Sequence, residues 1–219
     1  MLEDKPKNIP IYVTTSDGYI KVLKVFCFLF NKFWDSQQEV NIVGFEPPQF
    51  DLPNNFKFIS LGKQRGVNYW REDLLNMVEL IKEDFFIHME ENELFMRHVD
   101  LNILNCLKDK INDNVGRIDL TPGISNRQWE LIENKKDYDI IELSQHGEYR
   151  IALRANIWNK KYIKKFLNLK QDDWLGFEIS ASEVAKNDGY QILATNRKYT
   201  INNFDGVWHD QWRQFPDSI

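Results

Sequence analysis

The chain has 219 residues, a formal net charge of −5 at pH 7, 42 % hydrophobic residues and 14 % aromatic residues. A chain of this length and composition can bury a large core, which excludes a wholly disordered protein and predicts one domain. The acidic balance argues against bulk nucleic-acid binding through a basic surface. The longest apolar run, at 25–30, is far shorter than the about 20 residues of a membrane span, so we expect no transmembrane segment.

The N-terminal residues and the cysteines bear on the cellular compartment. Residues 1–8 contain no apolar stretch of the kind that a secretory signal has. Cys27 and Cys106 lie in apolar patterns typical of helices, so we expect buried thiols rather than a disulfide or a zinc site. We therefore expect a cytoplasmic protein, in the host cytoplasm if the source is viral. The oligomeric state stays open.

Strand and helix patterns alternate over the first 120 residues. Apolar runs predict strands at 9–15, 40–45, 56–61, 84–89 and 115–120, and helical spacing of apolar residues predicts helices at 20–33, 68–83 and 99–111. Such alternation is typical of an α/β fold with a mainly parallel central sheet flanked by helices.

The pattern is less regular after about residue 120. Residues 121–137 are polar and contain Pro and Gly, which predicts a loop. Strands are predicted at 138–143, 149–157 and 190–195, helices at 159–167 and 174–186, and the tail is irregular and aromatic. No repeat or linker interrupts the chain, so we predict a single domain over 1–219 with a more irregular C-terminal half.

Polar side chains follow three predicted strands at the point where each strand ends. Because ligands of open α/β sheets bind at the carboxyl ends of strands, we expect these three groups to meet at one edge. Hydroxyls, an aromatic ring, cations and paired carboxylates together suit a nucleoside diphosphate held through a divalent metal. The groups are Thr14, Thr15, Ser16, Asp17 and Tyr19; then Gly62, Lys63, Gln64, Arg65, Tyr69 and Trp70; then Glu90, Glu91, Asn92 and Glu93.

The acidic cluster at 90–93 is the sharpest local signal. Mg²⁺ and Mn²⁺ prefer oxygen ligands, and a carboxylate pair directly after a buried strand is costly to pack without a cation. A solvated loop or a helix cap is the alternative, and the spacing alone leaves both open. His88 lies inside the strand and fits a core or supporting position better than a ligand position.

Several common motifs are absent from the sequence. No G-x-G-x-x-G follows the first strand, and neither a G-x-x-x-x-G-K-[ST] loop nor a G-x-S-x-G elbow occurs. With four histidines and no dense Cys/His spacing, a zinc hydrolase has no support.

A series of short motifs runs along nearly the whole chain. They are Tyr-Val-Thr-Thr-Ser-Asp-Gly-Tyr at 12–19, Asn-Ile-Val-Gly-Phe at 41–45, Leu-Pro-Asn-Asn-Phe-Lys-Phe-Ile-Ser-Leu-Gly at 52–62 with Trp70 following, Met-Glu-Glu at 89–91, Ala-Asn-Ile-Trp-Asn at 155–159 and Trp-Leu-Gly-Phe-Glu at 174–178. In this order and spacing the chain resembles the GT-A class of nucleotide-sugar glycosyltransferases. More narrowly, it resembles small single-domain members found in bacteria, phages and large viruses.

The resemblance implies a donor-binding half at about 9–120 and an acceptor-side half at about 121–215. In the donor half it implies that Glu91 binds Mn²⁺ or Mg²⁺, with His209 as a second metal ligand from the C-terminal tail. Both acids of the metal motif are Glu, and Asn92 stands where a third acid could be, so Glu93 is an alternative ligand and metal dependence stays open. The resemblance assigns nucleotide-sugar binding to Thr14, Thr15, Ser16, Asp17, Tyr19, Arg65, Trp70 and Glu90.

The resemblance also implies a catalytic carboxylate. Inverting members place one at the start of a helix that faces the acceptor, and Glu178 matches that position. Asp172 and Asp173 compete for the role, and the alternative for Glu178 is an ordinary first-turn helix residue favoured by the helix dipole. The acceptor side would include Arg154, Trp158 and Trp174. The basic stretch at 159–170 is either a solvated surface helix or a contact for an anionic acceptor.

These inferences together predict a glycosyltransferase. It would move a sugar from a nucleotide donor, a UDP-sugar, to a hydroxyl of a glycan, a glycoprotein or modified DNA, with inversion; retention stays open. A non-catalytic nucleotide- or glycan-binding module on the same scaffold is the alternative. A nucleotidyltransferase ranks lower because no glycine-rich basic phosphate loop lies near the first strand.

Overall fold

The computed structural model describes residues 9–121, 128–169, 174–205, 207–208 and 211–212. Within these ranges the strands are β1 (Ile11–Thr14), β2 (Val40–Gly44), β3 (Phe56–Ser60), β4 (Phe85–Glu90), β5 (Glu93–Phe95), β6 (Val115–Asp119), β7 (Trp129–Asn134), β8 (Asp139–Leu143), β9 (Asn156–Asn159), β10 (Gln191–Asn196), β11 (Asn203–Asp205), β12 (Val207–Trp208) and β13 (Gln211–Trp212). The α-helices are α1 (Leu23–Phe33), α2 (Trp70–Leu80), α3 (Leu101–Lys108), α4 (Lys160–Leu167) and α5 (Trp174–Val184). Single 3₁₀ turns at Ile20–Val22 and Val67–Tyr69 lead into α1 and α2.

Nine strands form one central sheet in the order β3-β2-β1-β4-β9-β6-β10-β8-β7. β3, β2, β1 and β4 run parallel to one another, and β10 runs parallel to β6. β9 and β8 run antiparallel to both of their neighbours. The predicted α/β fold is therefore confirmed: the N-terminal half supplies the parallel strands β3, β2, β1 and β4, and the C-terminal half adds β7, β8 and β9 with their antiparallel pairings.

Both faces of the sheet are covered by helices. Successive residues of a strand point to opposite faces, and β1 shows the consequence directly. Ile11 and Val13 pack into the cluster built with α1 and α3, whereas Tyr12 packs into the cluster that contains residues of α2, α4 and α5. The two cores leave the carboxyl ends of the parallel strands as the place where polar side chains collect.

Two helices begin at side chains that accept hydrogen bonds from free backbone amides. Asp100 caps α3 by accepting from the amides of Asn102 and Ile103 at 3.1 and 3.0 Å. Asn159 caps α4 in the same way. Such caps satisfy donors that a helix cannot pair internally, so they explain why these helices begin where they do.

The basic face of α4 is engaged within the protein. Lys164 pairs with Glu79 at 2.6 Å, and Lys165 pairs with Asp188 at 3.2 Å. The opposite face of the helix is buried against the sheet. These contacts favour the surface-helix interpretation of the stretch 159–170 over an anionic-acceptor contact.

The loop predicted at 121–137 is wrong in part, because β7 lies inside it. β7 pairs with β8 alone and forms one edge of the sheet. Its residues are exposed or half-buried, so they do not show the alternation of apolar and polar residues that marks a strand with one buried face.

The strand predicted at 149–157 is also wrong in part, since only its end belongs to β9. The backbone amides before β9 bind side chains instead of a neighbouring strand. Leu153 donates to Glu178 Oε1 at 2.7 Å, and Ala155 donates to Glu93 Oε1 at 3.2 Å. This segment has the apolar composition of a strand, but these amides donate to side chains and not to the backbone of a neighbouring strand, so the segment is not part of the sheet.

No helix in the described ranges is long and apolar enough to cross a membrane. Cys27 is buried and Cys106 is half-buried, and both are free thiols. The expected burial of the thiols therefore holds for Cys27 and not for Cys106.

Candidate functional site

A cavity of about 450 Å³ lies at the carboxyl edge of the parallel strands. Its wall is formed by the ends of β1, β2 and β4, by one face of α2 and by the loop that follows β3. Of the residues predicted from the sequence, the cavity brings together Thr14, Thr15, Ser16, Tyr19, Trp70, Glu90 and Glu91. The expected meeting of three groups of polar residues at one sheet edge is confirmed for these positions.

Backbone hydrogen bonds hold the strand ends together beyond the strands themselves. The amide of Glu91 donates to the carbonyl oxygen of Thr14 at 3.3 Å, and the amide of Thr15 donates to that of Val43 at 2.9 Å. In the β1–β4 pairing Thr14 lies opposite Glu90. The backbone pairing of β1 with β4 thus continues to the edge of the sheet, and it brings Thr14 and Thr15 next to Glu90 and Glu91.

Glu91 is a buried carboxyl group in the cavity wall. The residue is 7 % exposed, and its Oε1 accepts a hydrogen bond from Thr15 Oγ1 at 3.2 Å. Burial disfavours the charged form and raises the pKa of Glu91 to about 7. A bound cation would act in the opposite direction and favour the ionised carboxylate.

The donor set for a metal is small in the part of the chain that the structure describes. No group of three or more His, Cys, Asp or Glu side chains there is placed to hold a metal ion. Mg²⁺ at nucleotide sites is commonly held by one or two carboxylates plus phosphate oxygens, and Glu90 and Glu91 in the wall fit that minimal pattern. His209, Asp172 and Asp173 lie outside the described residues.

The carboxylate of Glu93 accepts hydrogen bonds from groups inside the protein. It is 1 % exposed, and its Oε2 accepts from the amide of Glu90 at 3.1 Å. Its Oε1 accepts from the amide of Ala155 at 3.2 Å and from Asn203 Nδ2 at 2.9 Å, and Arg154 Nε lies 3.8 Å away. Burial raises the pKa of Glu93 to about 7. This residue joins β4 to the segment before β9 and to β11. Its role as an alternative metal ligand stays a prediction.

Asp17 connects loops beside the cavity. Its amide donates to Gln64 Oε1 at 3.0 Å, and its Oδ1 accepts from the amide of Glu46 at 3.0 Å. The loop after β1 is thereby tied to the loops after β2 and β3. The nucleotide contact predicted for Asp17 stays a prediction.

Arg65 lies at the rim of the cavity in a cluster of charges. Its Nη2 is 2.6 Å from Asp73 Oδ1, its Nη1 is 2.9 Å from Glu72 Oε2, and its guanidinium lies 4.5 Å from the centre of the Tyr69 ring. Asp73 itself lines the cavity. Arg65 is thus positioned next to the space where a ligand would lie, although both of its hydrogen-bonding edges are held by carboxylates.

His88 lines the cavity from β4 and is 1 % exposed. Its Nε2 is 3.1 Å from Thr14 Oγ1, and its Nδ1 is 3.2 Å from the carbonyl oxygen of Leu153. Burial lowers the pKa of His88 to about 4, so the ring is neutral at pH 7.

Glu178 lies on α5, one residue after Phe177, whose ring contacts that of Trp70 with 5.1 Å between centroids. Its Oε1 accepts from the amide of Leu153. α5 therefore packs against the cavity wall through Phe177, and Glu178 anchors the segment before β9. Trp174 begins α5, and the structure describes its backbone alone.

The acceptor contact predicted for Trp158 is wrong. Trp158 belongs to β9, which runs between β4 and β6, and its side chain is fully buried. Its ring packs 6.4 Å from that of Tyr162, and the guanidinium of Arg117 lies 5.7 Å from it. A residue on an inner strand under a helix belongs to the core and cannot reach an acceptor. Arg154 is about half-exposed, and its acceptor role stays a prediction.

Gln64 and Asn92, which belong to the polar groups expected at this edge, also line the wall. Other residues of the wall were not predicted as site residues, namely Asp73, Leu74, Met77 and His88 among others. A sequence signal did exist for part of this set. Trp70, Asp73, Leu74 and Met77 are spaced as i, i+3, i+4 and i+7, which places them on one face of α2. Once Trp70 is assigned to the site, helical spacing assigns the others to the same wall.

No protein-family model and no curated protein matches the sequence. The fold does match solved structures. The glycosyltransferase GlyE of Streptococcus pneumoniae TIGR4 matches with a TM-score of 0.50 and 8 % identity over 84 % of this chain, which spans 45 % of the GlyE chain. CMP:2-keto-3-deoxy-manno-octonic acid synthetase in complex with CTP matches with a TM-score of 0.49 and 8 % identity, over 86 % of this chain and 89 % of that one. The likeness to GlyE concerns the fold alone, and it confirms the predicted GT-A-like α/β architecture of this chain.

Proposed function

We propose that this protein is a glycosyltransferase that moves a sugar from a nucleotide donor, a UDP-sugar, to a hydroxyl group of an acceptor. The observation that carries the proposal is the composition of the cavity: hydroxyl side chains, the rings of Tyr19 and Trp70, and the adjacent acids Glu90 and Glu91 surround one space. Its volume of about 450 Å³ lies within the range of small-molecule sites, roughly 300–1,000 Å³.

In this proposal the end of β1 and the loop after it hold the nucleoside. Arg65 and Trp70 lie toward the ribose and the diphosphate. The Arg65 guanidinium next to Asp73 supports this assignment, because a planar cation at the rim can exchange a carboxylate for a phosphate partner. Glu90, which lies opposite Thr14 in the ladder, is proposed to contact the nucleotide sugar.

We propose Mn²⁺ or Mg²⁺ as the cofactor, with Glu91 as the ligand from the described residues and His209 as a further one. When bound, the cation would neutralise charge on the departing diphosphate. Support comes from Glu91 itself, a buried carboxyl group at the cavity whose side-chain hydrogen-bond partner in the described part of the chain, Thr15, is uncharged.

Glu178 is the proposed general base, and the reaction is proposed to invert. The acceptor oxygen attacks the anomeric carbon, the bond from that carbon to the diphosphate oxygen breaks, and the acceptor proton passes to the Glu178 carboxylate. Arg154 and Trp174 are proposed for the acceptor side, and the acceptor itself is a glycan, a glycoprotein or modified DNA. The free thiols of Cys27 and Cys106 support the cytoplasm as the location.

A non-catalytic nucleotide- or glycan-binding module is the second candidate function. It is favoured by one observation: both carboxyl groups proposed for the chemistry have partners in the protein, Glu91 in Thr15 and Glu178 in Leu153.

Hydrolysis of sugar nucleotides separates the two candidates. A transferase site transfers sugar slowly to water, so we expect release of the nucleoside diphosphate and the free sugar from one sugar nucleotide, and loss of that release in Glu178→Gln. Tight binding of a sugar nucleotide without any release would favour the binding module.

A further inference from the structure

The hydroxyl of Thr14 and the ring of His88 meet at the wall of the cavity. Thr14 Oγ1 lies 3.1 Å from His88 Nε2, and His88 Nδ1 lies 3.2 Å from the carbonyl oxygen of Leu153. A carbonyl oxygen accepts hydrogen bonds and cannot donate them. The Nδ1 atom must therefore carry a proton in this contact.

The His88 ring is neutral, and this determines whether its Nε2 atom donates or accepts a hydrogen bond. His88 is 1 % exposed, and in the described part of the chain its ring forms hydrogen bonds with Thr14 and Leu153, neither of which carries a charge that would stabilise an imidazolium. An imidazolium without a charged partner is costly to bury, so the ring is neutral. A neutral imidazole with its proton on Nδ1 has a lone pair on Nε2, so Nε2 accepts and the Thr14 hydroxyl donates.

Among the described residues, the two groups within hydrogen-bonding distance of the Thr14 hydroxyl are both acceptors. Besides His88 Nε2, the carbonyl oxygen of Met89 lies 3.4 Å from Thr14 Oγ1. A threonine hydroxyl has one proton and two lone pairs. The contact with His88 Nε2 is the shorter of the two and holds the proton there, directed into the protein, so the lone pairs of Oγ1 remain for the cavity that Thr14 lines.

We propose that His88 positions the Thr14 hydroxyl as a hydrogen-bond acceptor, so that this point of the cavity selects a donor group, an O–H or N–H of the bound nucleotide. The inference rests on the proposed function, because it takes a nucleotide as the ligand. It makes Thr14 a specificity residue and His88 a positioning residue. Phosphate and carbonyl oxygens are acceptors, so at this point they would be repelled by the lone pairs of Oγ1. We therefore expect a ribose hydroxyl or a base N–H beside Thr14 and the diphosphate elsewhere in the cavity.

The first test needs no nucleotide and is independent of the proposed function. The ¹⁵N chemical shifts of histidine ring nitrogens report the tautomer. The His88 signals are assigned by their absence from the spectrum of the His88→Gln variant. At neutral pH we expect the Nδ1–H tautomer. The Nε2–H tautomer, or a doubly protonated ring, would overturn the positioning half of the proposal.

The second test measures which ligand group Thr14 recognises. UDP, 2′-deoxy-UDP, 3′-deoxy-UDP and UDP methylated at N3 are titrated calorimetrically into wild type, Thr14→Val and Thr14→Ser. We expect one analogue to bind about tenfold more weakly than UDP to wild type, as loss of one hydrogen bond predicts. That penalty should persist in Thr14→Ser and disappear in Thr14→Val. Equal ratios of the analogues to UDP in wild type and Thr14→Val would overturn the specificity role.

Two substitutions of His88 complete the test. The amide of His88→Gln can donate to Leu153 and accept from Thr14, so this variant should keep the penalty. His88→Leu releases the hydroxyl proton and should reduce the penalty, whereas an unchanged penalty would overturn the positioning role. Failure of UDP, GDP, CDP and dTDP alike to bind wild type would refute the proposed function and with it the specificity half; the tautomer measurement still decides the positioning half.

Discussion

The carboxylate of Glu178 accepts a hydrogen bond from the backbone amide of Leu153 at 2.7 Å. This contact joins α5 to the irregular segment before β9, and the carbonyl group of the same Leu153 faces His88 in the cavity wall. A single residue without regular secondary structure thus connects the proposed base to the proposed donor site.

Glu178→Gln should separate catalysis from anchoring. The Gln amide oxygen can still accept from Leu153, so we expect little change in thermal stability or in donor binding. Transfer should fall by about 10²–10⁴-fold, the usual contribution of a positioned general base. The control, Glu178→Ala, leaves the Leu153 amide without its partner and should also lower the free energy of unfolding by about 1–3 kcal/mol. Transfer by Glu178→Gln at the wild-type rate would remove this residue from the base role.

Glu91→Gln should change how stability depends on pH. The pKa of Glu91 is raised from 4.5 to about 7 in the folded protein. Between these values the folded state binds more protons than the unfolded state, so the free energy of unfolding of wild type falls as pH rises through this range.

The Gln side chain does not titrate and can still accept from Thr15. We therefore expect the variant to gain stability relative to wild type from about pH 5 to pH 7, on the order of 2 kcal/mol, with no further gain above about pH 8. Urea unfolding at several pH values in EDTA gives this difference, in which the contributions of titratable groups that do not interact with Glu91 cancel. A difference that is constant with pH would contradict the assigned shift.

Arg65→Ala should weaken donor binding more than it weakens the fold. Its ion pairs with Glu72 and Asp73 are partly exposed, and such pairs contribute about 1 kcal/mol or less to stability. Loss of a charged contact with the diphosphate should raise the dissociation constant about tenfold. The matched control is Lys57→Ala, which removes an exposed pair with Glu39 at 3.0 Å on β3. If both variants bind the diphosphate like wild type, Arg65 has no role in donor binding.

Gly116→Ala should destabilise the contact between β6 and α4. A Cβ atom on Gly116 would lie 2.6 Å from the Tyr162 ring, and no real Cβ approaches an atom so closely. Overpacking of this kind costs about 1–3 kcal/mol, which thermal or urea unfolding measures. Gly18→Ala is the matched control, because the nearest atom there is 3.9 Å away. Equal stability of the two variants would contradict the packing described for Tyr162.

The strands of the parallel region and the edge that carries the cavity were predictable from the sequence. Apolar runs mark β1, β2 and β4, and the rule that ligands bind at the carboxyl ends of strands predicts the meeting of Thr14, Thr15 and Glu91. These features depend on local pattern and on a general property of parallel sheets.

Other features depend on contacts that the pattern does not encode. Trp158 was assigned to the acceptor side from its place in a motif, whereas its burial follows from the insertion of β9 between β4 and β6. The partners of Leu153 come from elements distant in sequence, so neither the anchoring role of Glu178 nor the orientation of His88 could be predicted. β7 has no buried face and therefore no periodic signal.

Thermal unfolding with UDP, GDP, CDP and dTDP, each with Mn²⁺ or with EDTA, tests the nucleotide site most directly. A ligand at about 100 times its dissociation constant adds about 2.7 kcal/mol of stability. We predict stabilisation by UDP in the presence of Mn²⁺, and its loss with EDTA. Stabilisation that persists in EDTA would contradict the metal assignment, and no stabilisation by any of the four diphosphates would contradict the account of the cavity as a nucleotide site.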